Sequence, residues 1–343
     1  MGDKVSAFRP YLELALSGTP LSGDDMGAAM DLIFAGAATD IEIAGFLAAL
    51  RTRGETVEEI AAAAQAMRKN AIAVAAPDGV IDTCGAGGDG AQTFNISTAA
   101  ALIAAGAGAS VAKHGNRAVS SKSGSSDVIE ALGVRLDLPP ETISRCIREA
   151  GVGFIFAPLH HKAAGRAAAA RKGLGARTLF NLLGPLSNPA GAKRQLMGVF
   201  SRDLARPIAH VMARLGVEAA WVVHGSDGLD ELTTTGPSFV AALENGVVRE
   251  FEIHPSDAQI GLARAADLRG GDVAHNAAAI RRLLDGEPGA FRDIAVLNAA
   301  GALVVAGKAK TLSRGARLAQ EAIDSGAARG ALQRLVEISN AAP

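Results

Sequence analysis

Residues 80–127 read VIDTCGAGGDGAQTFNISTAAALIAAGAGASVAKHGNRAVSSKSGSSD. An apolar run, 80–84, ends in the glycine loop Gly85-Ala86-Gly87-Gly88-Asp89-Gly90. A polar cluster, Thr93, Asn95, Ser97 and Thr98, opens an alanine-rich run that closes near Gly108. A second strand-like piece, 109–112, delivers Lys113-His114-Gly115-Asn116-Arg117, and a serine-rich loop follows. Strand, glycine loop, helix start, strand and basic loop in that order predict an α/β unit that holds phosphate.

Glycines let backbone N–H groups approach an anion closely and take positive φ. The amides and dipole at a helix start favour negative charge there. Ser97 and Thr98 stand where hydroxyls can add donors or hold a metal, and Lys113, with Arg117 behind it, brings positive charge. Asp89 repels a phosphate unless it binds a hydroxyl or a divalent cation lies between the anions. Gly85, Gly87 and Gly90 also satisfy G-x-G-x-x-G after a strand. A dinucleotide site wants an acidic residue about 20 positions onward, and 104–112 contains no Asp or Glu. The dinucleotide reading is therefore poor. A loop that is glycine-rich only for turning explains neither the hydroxyl cluster nor the lysine.

Upstream, 1–75 reads as helices only. Thr39 with Glu42 and Thr56 with Glu59 make capping boxes, and Ile41, Ala44, Gly45, Ala48 and Ala49 give a small-residue face. Pro77-Asp78-Gly79 is turn chemistry with the character of a hinge. Downstream, strands are expected at 153–157, 195–200 and 220–224, with helices at 126–132, 140–150 and 203–215. Asn245-Gly246 between two apolar runs signals a hairpin. An alanine-rich helix over 161–172, carrying Arg166, Arg171 and Lys172, reads as a return to the helical part. Alternating strands and helices argue for a mostly parallel sheet covered by helices. Ligands of such folds lie beyond the carboxyl ends of strands and in clefts between domains. Both criteria place Gly85, Lys113 and Arg171 around one cleft.

Composition narrows the class. The 343 residues suffice for one large or two moderate domains. With 34 basic against 35 acidic residues there is no electrostatic footprint of nucleic-acid binding. One Trp and one Tyr make a poor stacking platform for single strands. Cys84 and Cys146 form neither a metal spacing nor a disulfide framework. No run is long and unbroken enough to span a bilayer, and the N-terminus lacks the order of a signal peptide. A cytoplasmic protein is expected, with neither membrane nor nucleic acid as partner.

Asp230 and Glu231 are adjacent acids in a loop after the 220–224 strand. Such a pair suits Mg²⁺, which takes one or two carboxylates plus phosphate oxygens and waters. An isolated acidic pair is more often a solvated turn; an anion cradle without its own metal ligands shifts the balance. The histidines make no zinc spacing, and only His114 sits within the basic loop.

These pieces together carry a resemblance. The chain is similar to the anthranilate phosphoribosyltransferases over essentially its whole length. The glycine loop, usually GTGGD in that family, is Gly85 to Asp89. NIST begins at Asn95, KHGNR at Lys113 and SGSSD at Ser123, and RTLFNLLGPLSNPA (177–190) and HGSDGLDEL (224–232) match as well. The resemblance implies a small all-helical domain, 1–75 plus about 160–184, which dimerises. It implies a large α/β domain, 76–159 plus about 185–343, with a mostly parallel sheet, helices on both sides and hinge segments between the two domains. The implied activity is Mg²⁺-dependent transfer of phosphoribose from 5-phosphoribosyl 1-pyrophosphate to anthranilate, in tryptophan biosynthesis, by a homodimer.

Carried over by motif, Gly85 meets both substrates, and Gly88, Asp89 and Thr93 contact the phosphoribosyl donor. Asn95, Ile96, Ser97 and Thr98 wrap its phosphates together with Lys113, His114, Gly115, Asn116, Arg117, Ala118, Val119, Ser120 and Ser121, with Ser125 nearby. Asn116 and Arg171 bind anthranilate. Ser97 with Glu231 holds one Mg²⁺ and Asp230 with Glu231 a second, so Lys113, Asp230 and Glu231 carry the chemistry. Two positions depart from the family. Ala86 replaces the usual Thr, and Lys162 the Pro after His160-His161. The rival enzymatic reading is a pyrimidine-nucleoside phosphorylase of related architecture, which needs no metal pair.

Overall fold

The computed structural model describes residues 6–117 and 123–341. The chain divides into two compact units, one running to Ile72 and resuming over Pro158–Ser187, the other formed by Ala73–Ala157 and the chain from Asn188 onward.

The first unit is helical, with helices Arg9–Leu16, Gly23–Ala35, Asp40–Arg53 and Val57–Lys69. Both expected capping boxes are present. Thr39 and Thr56 each accept the N–H three residues on, while Glu42 and Glu59 reach back to the cap N–H at 2.8 Å. Glu59 does more than cap. Fully buried, it takes two bonds of 2.6 Å from Arg53 and the Leu21 N–H at 2.9 Å, so one carboxylate ties three segments together. Burial pushes its pKa up, but Arg53 and the two amides more than offset this and hold it below the usual value. Phe8, Met26, Met30, Ile33, Phe46 and Leu50 form the core, with Phe8 edge-on to Phe46 at 5.3 Å. The helix expected over 161–172 is instead a 3₁₀ turn, Lys162–Ala167, followed by the helix Ala168–Leu174. Gly165 sits in the interrupted stretch, where glycine costs a helix about 1 kcal/mol relative to alanine.

The second unit is built on a seven-stranded sheet: β1 (Ile81–Gly85), β2 (Val111–Gly115), β3 (Val152–Phe156), β4 (Arg194–Gly198), β5 (Ala219–Gly225), β6 (Ser238–Glu244) and β7 (Val247–Ile253). The order is β3-β2-β1-β4-β5-β6-β7; the first five strands run parallel and the last two antiparallel. Asn245 and Gly246 turn β6 into β7 with φ of 51° and 79°, the positive values that a two-residue hairpin demands. Exposed Arg249, Glu250 and Glu252 on β7 guard the open edge against further pairing.

The sheet separates two apolar clusters. On one side Ile96, Leu102 and Ile103 of the helix Ile96–Gly106 pack with Ile294, Leu297 and Leu303 of the helix Ala290–Val305. On the other, Ile143 and Ile147 of the helix Pro140–Ala150 pack with Val80, Ala112 and Ile155. β2 begins two residues later than expected and runs through Lys113 and His114, both nearly inaccessible. Charged residues ordinarily signal the end of a strand; here the neighbouring strand satisfies the lysine. Among the described residues no helix is long and apolar enough to cross a membrane.

Candidate active site

The connection order of the sheet reverses at β1 and β4, the point outside which open α/β sheets gather their ligands. The last residues of these strands, Gly85 and Gly198, stand opposite one another in the ladder. Both leave room for one acid. A Cβ on Gly198 would run into the backbone carbonyl of Asp230, and a Cβ on Gly85 into its carboxylate. Asp230 therefore lies across the strand ends, with Oδ2 accepting the Gly87 N–H at 2.6 Å. Gly87 has φ 72°, a conformation that favours glycine.

The loop carrying this acid is fastened twice. Asp227 Oδ2 accepts the hydroxyls of Thr233 and Thr235 at 2.6 Å each. Asn298, buried on the helix Ala290–Val305, accepts the Leu232 N–H at 2.9 Å and donates to the Leu232 carbonyl at 2.8 Å. Glu231 is thereby turned to the start of the helix Ile96–Gly106, where Oε1 accepts the Ser97 N–H at 3.1 Å. Lys113 approaches the same residue from β2. Its Nζ donates to Ser97 Oγ at 3.3 Å and to the Thr83 carbonyl at 2.7 Å.

Burial raises the pKa of Asp230 and of Glu231; repulsion from Asp89 adds to the first and repulsion from Asp230 to the second, while Lys113 pulls Glu231 back. Asp89, Asp230 and Glu231 thus crowd one another, and of the three only Glu231 is offset by Lys113. This surplus of buried negative charge suits a divalent cation. Among the described residues no three His, Cys, Asp or Glu side chains are arranged to hold a metal unaided. Its remaining ligands would be hydroxyl, water or substrate oxygens.

A second network holds the helix start. Asn95 Oδ1 accepts from Asn276 Nδ2 at 3.0 Å and from Ser123 Oγ at 3.3 Å, and Asn276 also donates to Ser123 at 2.7 Å. Thr93 forms an isolated bridge with Arg269, and Phe94 stacks on Phe291 and His275 at 4.4 and 5.7 Å. Ile96 is core, and Thr98 Oγ1 is buried with no hydrogen-bond partner among the described residues. Gly88 is exposed; Asp89 is half-buried and close to Asp230, its Oδ1 accepting the Ala91 N–H at 3.2 Å. Ala86 donates its N–H to the Gly198 carbonyl at 2.9 Å, a contact that needs no threonine hydroxyl.

The basic loop is only partly described. His114 is buried, and a Cβ on Gly115 would meet the Phe154 ring and Ser125 Oγ. Asn116 is exposed and receives the Arg117 N–H at 2.8 Å and, at its carbonyl, the Ser125 hydroxyl at 3.4 Å. The Arg117 guanidinium is committed to Asp127 at 2.7 Å and Glu130 at 3.0 Å. Ala118, Val119, Ser120 and Ser121 lie outside the described residues. Arg171 belongs to the helical unit. It stacks over Phe180 at 5.3 Å, burial lowers its pKa, and no carboxylate pairs with it among the described residues.

Sequence reasoning missed Gly198, Asn276 and Asn298. A single glycine at a strand end and asparagines inside helical patterns carry no local signal.

Comparison with known proteins places this arrangement. Residues 77–329 match the a/b domain of a glycosyl transferase family and 9–71 its helical bundle domain. Anthranilate phosphoribosyltransferases of Rhodospirillum rubrum and of Bradyrhizobium sp. strain ORS 278 are 56% and 55% identical, over 96% and 94% of this chain and 95% and 96% of their own. The Thermus thermophilus anthranilate phosphoribosyltransferase crystal structure superimposes with a TM-score of 0.92 at 42% identity, over 96% of this chain and 99% of that one. The Saccharomyces cerevisiae anthranilate phosphoribosyltransferase, in complex with PRPP and Mg, does so at 0.89 and 28%, over 98% of each. With agreement this close across both units, the chain belongs to the anthranilate phosphoribosyltransferase family.

Proposed function

We propose that the protein transfers the phosphoribosyl group of 5-phosphoribosyl 1-pyrophosphate to the amine of anthranilate, releasing pyrophosphate, as a Mg²⁺-dependent step of tryptophan biosynthesis. The observation that carries this reading is the meeting of Glu231, Lys113 and a helix N-terminus on Ser97, with Asp230 laid over the adjoining strand ends. Cations and amides for an anion thus stand beside acids for its metal. The yeast relatives support it, one bound to PRPP and Mg and another to 4-fluoroanthranilate.

Two Mg²⁺ ions are assigned, one to Ser97 with Glu231 and one to Asp230 with Glu231. Few protein ligands, with phosphate and water oxygens completing the shell, is the usual pattern for Mg²⁺. When bound, the metal offsets the charge that builds on the departing pyrophosphate. The remaining work falls to the chain. Lys113 and the positive end of the helix Ile96–Gly106 hold phosphate oxygens in place. Arg171, which has no carboxylate partner among the described residues, grips the anthranilate carboxylate in bidentate fashion and aims the amine. An aromatic amine is unprotonated at neutral pH, so attack on the ribose C1 needs orientation rather than a strong base.

Loss of anthranilate fluorescence with donor and Mg²⁺ present tests the reading directly. No loss with donor, but turnover of a pyrimidine nucleoside with free phosphate, would favour a nucleoside phosphorylase instead. A cytoplasmic homodimer is part of the proposal. Ile41 and Leu16, 86% and 59% exposed on the helical unit, support an apolar contact there. Ile41→Glu should shift the protein from dimer to monomer in sedimentation at micromolar concentration, and an unchanged species would remove that face from the interface.

A further inference from the structure

β1 and β2 are neighbours in the sheet, yet their ladder stops almost at once. Ile81 with Val111 is the one registered pair, whereas β1 and β4 are registered at five positions and β2 and β3 at five. In a continuous parallel ladder the next pair would be Thr83 with Lys113, made by the Thr83 N–H to the Ala112 carbonyl and the His114 N–H to the Thr83 carbonyl. Side chains hold these groups instead. The Ala112 carbonyl accepts Asn188 Nδ2 at 2.8 Å, the His114 N–H goes to Asp82 Oδ1 at 3.2 Å, and the Thr83 carbonyl accepts Lys113 Nζ at 2.7 Å.

Buried main-chain groups must be paired, so the exchange has a logic. The Thr83 carbonyl faces two competing donors, the backbone N–H of His114 and the ammonium of Lys113. By taking the N–H, Asp82 leaves the carbonyl to the ammonium, which is thereby held where it also reaches Ser97 Oγ at 3.3 Å. Asn188 caps the Ala112 carbonyl on the same edge of β2, so that β2 does not close back onto β1. Asp82, Asn188 and Lys113 are 0%, 6% and 2% exposed. A buried carboxylate carries a large desolvation cost, and the gap gives this one a use.

We propose that Asp82 and Asn188 are positioning residues which hold β1 and β2 apart and so aim the Lys113 ammonium at the helix start where the donor's phosphates bind. The inference rests on the reading of the site given above, and the two fail in different ways. Donor affinity, read by calorimetry with 5-phosphoribosyl 1-pyrophosphate and Mg²⁺, can be followed in the intact protein even where turnover is lost. If the unaltered protein does not bind the donor, the reading of the site falls. If it does, Asp82→Ala and Asn188→Ala should each weaken donor binding about tenfold or more, equivalent to about 1.4 kcal/mol. The KM for anthranilate should change far less.

The deciding measurement is a double-mutant cycle with Lys113→Met. Once the ammonium is gone, Asp82→Ala should cost donor binding almost nothing further. An equal cost in both backgrounds would show that Asp82 merely supports the fold and would overturn the proposal. Should Asp82→Ala fail to fold, Asp82→Asn in the same cycle decides: Asn188 also hydrogen-bonds the Asp82 carboxylate, so the new amide's oxygen can still receive the His114 N–H while its NH₂ is set against the Asn188 donor. An intermediate loss of donor affinity that vanishes with Lys113→Met is expected, and wild-type affinity would sink the idea.

Discussion

Single residues set the division of labour between the substrates. Arg171 meets an aromatic ring but no acid among the described residues, so its charge is available to a carboxylate ligand. Arg171→Ala should raise the KM for anthranilate at least about tenfold, the loss of one charge-assisted pair of bonds, and leave the donor KM within about twofold. Steady-state kinetics with each substrate varied in turn would check this, and equal effects on both would dismiss the assignment. Asp230 and Glu231 pose the opposite problem, too much charge. Their raised pKa values mean that the folded state without metal binds protons more tightly than the unfolded chain does. Stability is therefore lost as pH rises from the unfolded carboxylate range through the raised values. Asp230→Asn or Glu231→Gln should relieve this and raise the Tm of the metal-free protein near pH 8 by about 2 °C per kcal/mol recovered. The same variants should lose Mg²⁺-dependent donor binding. A lower Tm together with a normal Mg²⁺ titration would refute the account.

At the scale of elements, strand ends decide what the site can hold. Gly198 stands where any side chain would enter the backbone of Asp230. Gly198→Ala should displace the loop after β5, weaken donor binding at least about tenfold and leave unfolding cooperative, because overpacking costs about 1–3 kcal/mol. Unchanged donor affinity in calorimetry would show that the loop adapts. Much of this level was legible in the sequence. Glycine loop, helix start and basic loop follow one another in the chain, Thr-x-x-Glu spells its own caps, and Asn-Gly spells its own turn. The partners of those elements were not legible. Gly198 answers to Asp230, Asn276 to Asn95 and Asp82 to His114, across 32, 181 and 32 positions respectively. Their reasons exist only in three dimensions. The extension of β2 through Lys113 has the same origin, since the Thr83 carbonyl of the neighbouring strand receives the buried ammonium.

For the molecule as a whole, what matters is that the helical unit is drawn from two separate stretches of chain. The second stretch is tied to the first through main-chain and side-chain bonds. Ile72 donates its N–H to the His160 carbonyl at 2.9 Å, and its own carbonyl lies 2.7 Å from His160 Nδ1. Arg68 Nε reaches the Leu186 carbonyl at 2.7 Å, and Arg51 bonds the Arg177 carbonyl. A fragment ending at Ile72 would leave these donors without acceptors and the small-residue helices without their cover. Domains this small are already marginal, burying only about 60% of the surface that their unfolded chain exposes. Residues 1–72 alone should therefore give poor amide dispersion in NMR spectra and a non-cooperative melt. Joining 158–187 to them through a flexible Gly/Ser linker should restore both, because such a linker costs little closure entropy. A sharp, cooperative melt from the short fragment would mean that the four N-terminal helices suffice, and that the returning segment answers to the reaction rather than to the fold.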